Sequence, residues 1–134
     1  MKLVRNEEVA WTNGSGYRKK VLLQERDVNQ DGSLVQLVEI APHTQVKDHY
    51  HKSCTEVFHV ISGKGVFRIG GNQYDMEPGQ TLTCEPFEVH STENPFDFPF
   101  TYIVFKTNAV ENDLYWCDST DVHQNGQYIL EGRV

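Results

Sequence analysis

Short stretches rich in Val, Ile, Phe, Tyr and Thr recur along this chain, and these residue types favour β-strands. Polar clusters such as Asn29-Gln30-Asp31-Gly32 and Glu77-Pro78-Gly79 separate the stretches at intervals of about ten residues. No window keeps the apolar spacing of an amphipathic helix. The rhythm predicts an all-β fold, an antiparallel sandwich or a barrel. The predicted strands are 17–24, 33–40, 56–61, 65–70, 73–76, 81–84, 89–92 and 101–107.

Three histidines and one glutamate are the strongest candidates for chemistry. His49 and His51 are two residues apart, so both imidazoles project from the same face of an extended strand. Glu56 shares its strand parity with Phe58, so its carboxylate points inward if Phe58 is a core residue. A buried carboxylate needs a partner, and a cation held between imidazoles is a suitable one. His90 follows two predicted hairpins later, which is enough chain for a returning strand to face the first pair.

These residues fall into two motifs of defined spacing. The first reads His49-x-His51-x4-Glu56-x6-Gly63, and the second runs from Gly79 to His90-x3-Asn94. Together they resemble the two motifs of the cupin superfamily, over residues 42–106, about half of the chain. The resemblance implies a double-stranded β-helix, or jelly-roll barrel. It also implies that one divalent metal ion is bound by His49, His51, Glu56 and His90.

Three positions depart from the cupin pattern. His43 stands where the first motif usually begins with glycine, and Phe87 replaces a glycine of the second motif. Glu85 stands where the second motif usually has proline, with Pro86 one place later. None of these is a ligand position. The departures therefore bear on the shape of the loop before His90, and hence on the substrate, more than on metal binding.

The implied ligand set suggests a function. Three imidazoles and a carboxylate suit Mn²⁺, Fe²⁺, Co²⁺, Ni²⁺, Cu²⁺ or Zn²⁺, and an octahedral ion keeps two positions for water, substrate or dioxygen. The resemblance implies a metalloenzyme, a dioxygenase, lyase, isomerase or decarboxylase, acting on a small organic acid, sugar or enediol. Glu56 is expected to be both a ligand and the catalytic general base. The alternative is a non-catalytic module that binds a small molecule or holds a structural metal.

Composition narrows the classes of partner. The 134 residues are 38% hydrophobic and 23% charged, as is ordinary for a globular protein, so 1–134 is interpreted as a single domain. A net charge of −7 disfavours nucleic acid as a binding partner.

Charges at Arg5 and Glu7 interrupt any secretory signal and no apolar run is long enough to span a membrane, so a cytoplasmic protein is expected. Small cupins commonly pair through their outer sheets, and a homodimer is expected here.

The three cysteines, Cys54, Cys84 and Cys117, contain no CxxC pair. Their odd number and wide spacing disfavour a disulfide framework and a thiolate zinc site, so free and mostly buried thiols are expected. Cys54 lies between two candidate ligands in sequence, but a lone cysteine usually behaves as a small apolar filler. We expect no redox role for it.

Four further residues could contribute to the site. His59 has the opposite strand parity to Glu56 and is expected on the outer face. Arg68 is expected there too, although on a strand bordering the cavity it could pair with a substrate carboxylate. Tyr102 and Trp116 could line a pocket, but in a small barrel such residues more often belong to the core or a dimer interface. They are not included among the site residues.

Overall fold

The computed structural model describes residues 1–117, which consist largely of antiparallel β-strands. Within this range the strands are β1 (Thr12–Asn13), β2 (Arg18–Leu23), β3 (Leu34–Ile40), β4 (Thr44–Tyr50), β5 (Thr55–Ser62), β6 (Gly65–Ile69), β7 (Asn72–Met76), β8 (Thr81–Cys84), β9 (His90–Asn94), β10 (Phe100–Thr107) and β11 (Tyr115–Trp116).

The strands form two sheets that enclose one interior. One sheet has the order β1-β2-β3-β10-β5-β8 and the other the order β11-β4-β9-β6-β7. Every pairing is antiparallel, and many neighbouring strands are distant in sequence: β10 lies between β3 and β5, and β9 lies between β4 and β6. This is a jelly roll, or double-stranded β-helix, so the predicted all-β fold is confirmed. All eight predicted strands have counterparts.

Helical structure is confined to two short segments of the described residues. A 3₁₀ turn spans Asn6–Glu8, and the helix α1 spans Glu25–Val28. The start of α1 has a capping box, in which the Asp27 carboxylate accepts a hydrogen bond from the Gln24 backbone at 2.8 Å. Among residues 1–117, no helix is long and apolar enough to cross a membrane.

The sequence predicted an extended segment only at His49 and His51, whereas strand β4 begins at Thr44 and has an irregular register that shapes the site. Val46 pairs with Thr92 and His49 pairs with His90, so three steps along β4 match two steps along β9. The extra residue is a β-bulge, which shifts the alternation of side chains by one position. Val46 and His49 are therefore both buried on the inner face, although strict alternation would place them on opposite faces.

The apolar core occupies one end of the interior. Ile40, Phe67 and Phe100 are completely buried there, and the rings of Phe58 and Phe67 lie 4.7 Å apart. Gly65 lies against this cluster, where a Cβ atom would overlap the Phe100 ring. The opposite end of the interior carries the histidines.

Candidate metal centre

The four predicted ligands converge from different parts of the fold. His49 lies on β4 and His90 begins β9, so the two are direct neighbours in the five-stranded sheet. Glu56 lies on β5 in the facing sheet, and His51 follows the end of β4. All four side chains are buried, with relative exposures between 2% and 8%. The structure thus brings together all four residues that the sequence singled out.

The δ nitrogen of each imidazole is engaged by a backbone carbonyl. In each case Nδ1 donates a hydrogen bond, so Nε2 is the nitrogen that carries the lone pair when the ring is neutral. This arrangement fixes the tautomer and orientation of a ring that binds metal through Nε2. The acceptors are the carbonyls of Lys47 for His49 at 2.7 Å, Asp113 for His51 at 2.6 Å and Glu88 for His90 at 2.9 Å.

The free ends of these side chains meet without satisfying one another. Glu56 Oε1 lies 3.0 Å from His51 Nε2 and 3.1 Å from His90 Nε2. None of these three buried atoms has an aligned hydrogen bond to any described residue. Buried polar atoms without partners are rare in proteins, and a shared cation would satisfy all three. His49, His51 and His90 each offer a ligand atom within 4.8 Å of the others, so the group could hold a metal ion.

The electrostatics of the cluster favour a positive charge beside Glu56. Although burial alone raises it, the His51 and His90 imidazoles and the Lys106 ammonium hold the pKa of Glu56 well below its usual value. Burial and the neighbouring His90 lower the pKa of His49 to about 3. For His90, burial lowers the pKa, but Cys84 and Glu56 outweigh it and raise the value to about 10. The carboxylate is therefore ionised and His49 is neutral, as metal binding requires, whereas His90 holds a proton that a metal ion would displace.

Asp113 holds the His51 loop in place, and sequence reasoning missed it. Its carboxylate accepts hydrogen bonds from the backbone amides of Lys52 at 2.8 Å and Ser53 at 2.9 Å, and its carbonyl accepts from His51. The residue is 8% exposed and 60 or more positions from its partners in the chain. No local sequence pattern could have indicated this contact.

A pocket of about 200 Å³ opens onto the cluster. Tyr102 belongs to the hydrophobic core, as predicted, but it and Trp116 also line the pocket. The Trp116 ring packs 5.1 Å from the His49 ring. Both aromatic residues therefore contribute to the surroundings of the cluster. Other polar residues that line the pocket include Tyr17, Lys19, Gln36, Thr92 and Lys106.

The remaining candidates lie where the sequence placed them. Arg68 is exposed on the outer face and pairs with Glu93 at 3.0 Å, so it does not line the pocket. His59 is also exposed. All three cysteines are buried. Burial, with a smaller contribution from Glu56, raises the pKa of Cys54 to about 12, so its thiol stays protonated, in agreement with a filler rather than a redox group.

Comparisons with known proteins agree with this architecture. Residues 36–106, just over half of the chain, match the family model described as the Cupin domain. The Tetracenomycin polyketide synthase protein TcmJ of Streptomyces glaucescens is 26% identical over 102 residues, covering 76% of this chain and 68% of that protein.

Two solved structures illustrate the similarity of fold. A predicted oxalate decarboxylase from Thermotoga maritima superimposes with a TM-score of 0.74 and 20% identity, over 80% of this chain and 99% of that one. A sugar phosphate isomerase from Silicibacter pomeroyi superimposes with a TM-score of 0.69 and 20% identity, over 87% of this chain and 82% of that one.

Proposed function

This chain belongs to the cupin family, and we propose that it is a divalent-metal-dependent enzyme that acts on a small organic acid, sugar or enediol. The observation that carries the proposal is the unsatisfied centre, in which the Nε2 atoms of His51 and His90 and Oε1 of Glu56 are buried without aligned partners. The proposed ligands are His49, His51, Glu56 and His90. The proposed ion is Mn²⁺, Fe²⁺, Co²⁺, Ni²⁺, Cu²⁺ or Zn²⁺.

The residues around the centre suit a small substrate. The pocket, at about 200 Å³, is smaller than the roughly 300–1,000 Å³ of sites for drug-sized ligands. Phe58 and Trp116 form apolar walls, and the three carbonyl acceptors keep the imidazoles fixed while a substrate binds. A bound ion would supply a Lewis acid that polarises substrate oxygen atoms.

Glu56 is proposed to have a second role as general base. Its Oε2 atom lies on the side of Lys106, at 3.9 Å from the ammonium. That contact is too long for a strong hydrogen bond, so Oε2 remains able to accept a proton from a substrate in the pocket.

The test of the ligand set is the metal content of purified variants. In Glu56→Ala and His51→Ala the loss of a ligand should weaken metal binding, whereas Glu56→His supplies a nitrogen ligand and should retain more metal than Glu56→Ala. Elemental analysis after dialysis measures the difference. Full metal occupancy in both alanine variants would refute the proposed metal site.

The test of catalysis is a substrate screen with the metal-loaded protein. Diols, keto acids, sugar acids and sugar phosphates are incubated with and without oxygen, and oxygen uptake would identify a dioxygenase. Once a substrate is found, turnover should fall in Glu56→His even where its metal is retained, because the general base is lost. Near-normal turnover in that variant would show that Glu56 only tunes the ion. Binding without turnover of any substrate would identify a non-catalytic module.

A further inference from the structure

Three residues with hydrogen-bond donors line the pocket on neighbouring strands of the six-stranded sheet. They are Lys19 on β2, Gln36 on β3 and Lys106 on β10. Val104, two residues before Lys106 on the same strand, pairs directly with Gln36. The three residues therefore cross the inner face of one sheet diagonally, on the same wall of the pocket as Glu56.

The charges on this wall are not balanced. Lys106 lies 3.9 Å from Glu56, and Lys19 forms no ion pair with any carboxylate of residues 1–117. Glu56 is the proposed metal ligand, and the other carboxylate that lines the pocket, Asp113, is bonded to two backbone amides. Burial and the charge of Lys106 lower the pKa of Lys19, so the two ammonium groups repel each other across the pocket. A bound anion would relieve that repulsion.

Gln36 is a second and independent sign of a missing partner. Its side chain is only 3% exposed, and its Nε2 atom has no hydrogen-bond partner among the described residues. Native structures rarely bury an amide donor without an acceptor. Gln36 lines the same pocket as the two lysines, so a molecule bound there is the source that we infer for the missing acceptor.

We propose that Lys19, Gln36 and Lys106 form a subsite for the acidic group of the substrate. The inference rests on the proposed function, in which the other oxygen atoms of the same small molecule face the metal centre. Two ammonium groups and an amide donor match the acceptor oxygens of a carboxylate or a phosphate monoester. The substrate class narrows to small hydroxylated or enolic acids and their phosphates, and neutral sugars and diols are excluded.

The test compares molecules that share a polyol and differ in the acidic group. Glycerol, glycerate and glycerol 1-phosphate are titrated by calorimetry into the protein loaded with redox-inert Zn²⁺ and into the metal-depleted protein. The variants are Lys19→Met and Gln36→Met, which remove a donor and keep side-chain length. The matched control is Lys64→Met, an exposed lysine in the β5–β6 turn that does not line the pocket.

The expected result is that wild type and Lys64→Met bind at least one of the two anions roughly tenfold or more tightly than glycerol. Lys19→Met and Gln36→Met should each lose most of that preference. The anion with the larger preference identifies the acidic group as carboxylate or phosphate. The proposal is overturned if wild type shows no preference for either anion at millimolar concentration, or if both pocket variants keep the preference unchanged.

The two forms of the protein separate this proposal from the proposed function. If the protein fails to retain Zn²⁺ after loading and still shows an anion preference that depends on Lys19, the subsite is supported and the metalloenzyme is refuted. Stable metal binding with a preference that is indifferent to Lys19 would refute the subsite alone.

Discussion

The two ends of the barrel interior are built on the same strands but have opposite chemistry. Along the inner face of β10, Phe100 and Tyr102 lie in the apolar core, and Lys106 lies in the pocket. β5 changes in the same way, from Val60 in the core to Glu56 at the histidines. Strand alternation thus determines that a residue faces inward, and the position along the strand determines whether it stabilises the fold or serves the site.

The difference implies that the two ends fail in different ways when mutated. Residues of the apolar end are held by dispersion and by burial from water, whereas the Nε2 atoms of His51 and His90 and Oε1 of Glu56 at the polar end lack aligned hydrogen bonds. Substitutions at the first end should lower the stability of the whole barrel. Substitutions at the second should chiefly alter metal and ligand binding.

The largest effect is expected for Phe67→Ala at the apolar end. Phe67 is completely buried and packs against the rings of Phe58 at 4.7 Å and Tyr102 at 5.2 Å. Loss of the ring should lower the free energy of unfolding by about 3–5 kcal/mol. Urea denaturation of the metal-depleted protein measures the change. A loss below about 1 kcal/mol would show that the aromatic cluster is not the centre of stability.

A smaller loss of stability, together with a loss of metal affinity, is expected for Asp113→Ala. Two backbone amides of the His51 loop would lose their acceptor, at a cost of about 1–3 kcal/mol. Misplacement of His51 should weaken metal binding about 10- to 100-fold. Competition with a chelator measures the affinity. Asp97→Ala is the control, because the Asp97 side chain is 84% exposed, pairs with His43 and does not line the pocket. Equal affinities in the two variants would contradict the positioning role.

The polar end could be predicted from the sequence only in part. His49, His51, Glu56 and His90 stand at motif spacings, so their convergence was predictable. The segment of β4 contains a single aliphatic residue, Val46, and was predicted to be extended only near its end, at His49. Its bulge depends on pairing with β9, which local sequence does not encode.

The lysines of the pocket and Asp113 escaped prediction for a related reason. A lysine in a short strand is usually solvated, and the sequence does not show that Lys19 and Lys106 lie on the inner face of one sheet. The sequence placed Arg68 on the outer face and left a contact with a substrate carboxylate as the alternative; Arg68 is on the outer face and does not line the pocket. Contacts between residues distant in the chain follow from topology, and their identity becomes visible only in the folded barrel.

At the polar end, metal binding should release a proton from His90. His90, with its pKa raised to about 10, carries a proton in the metal-free folded state at pH 8, and a metal ligand must be neutral. Binding should therefore release about one proton at pH 8, and metal affinity should rise up to about tenfold per pH unit below the raised pKa. The metal-dependent increase in melting temperature should accordingly shrink on acidification.

Calorimetry in two buffers of different ionisation enthalpy counts the released protons. Glu56→Gln is the matched variant, because the loss of the carboxylate removes one of the groups that raise the pKa of His90 and should reduce the release. An imidazole at its ordinary pKa of about 6.5 would release almost no proton at pH 8, and that result would refute the raised value.

The smallest effect is expected in the backbone of the loop that borders the site. Phe87 occupies a position where the cupin motif usually has glycine, and it keeps the conformation that glycine favours, with φ of 69°. This conformation costs an L residue about 1–2 kcal/mol. The ring offers little in return, because Phe87 is 63% exposed and lies 6.1 Å from the Tyr50 ring.

Phe87→Gly should therefore raise the free energy of unfolding by up to about 1 kcal/mol, since glycine's own entropic cost of about 0.5–1 kcal/mol offsets part of the relieved strain. Phe87→Ala is the control, because it removes the same ring but keeps the Cβ atom that causes the strain. Denaturation midpoints of the two variants give the comparison directly. If Phe87→Gly proves no more stable than Phe87→Ala, the loop is not strained at this residue.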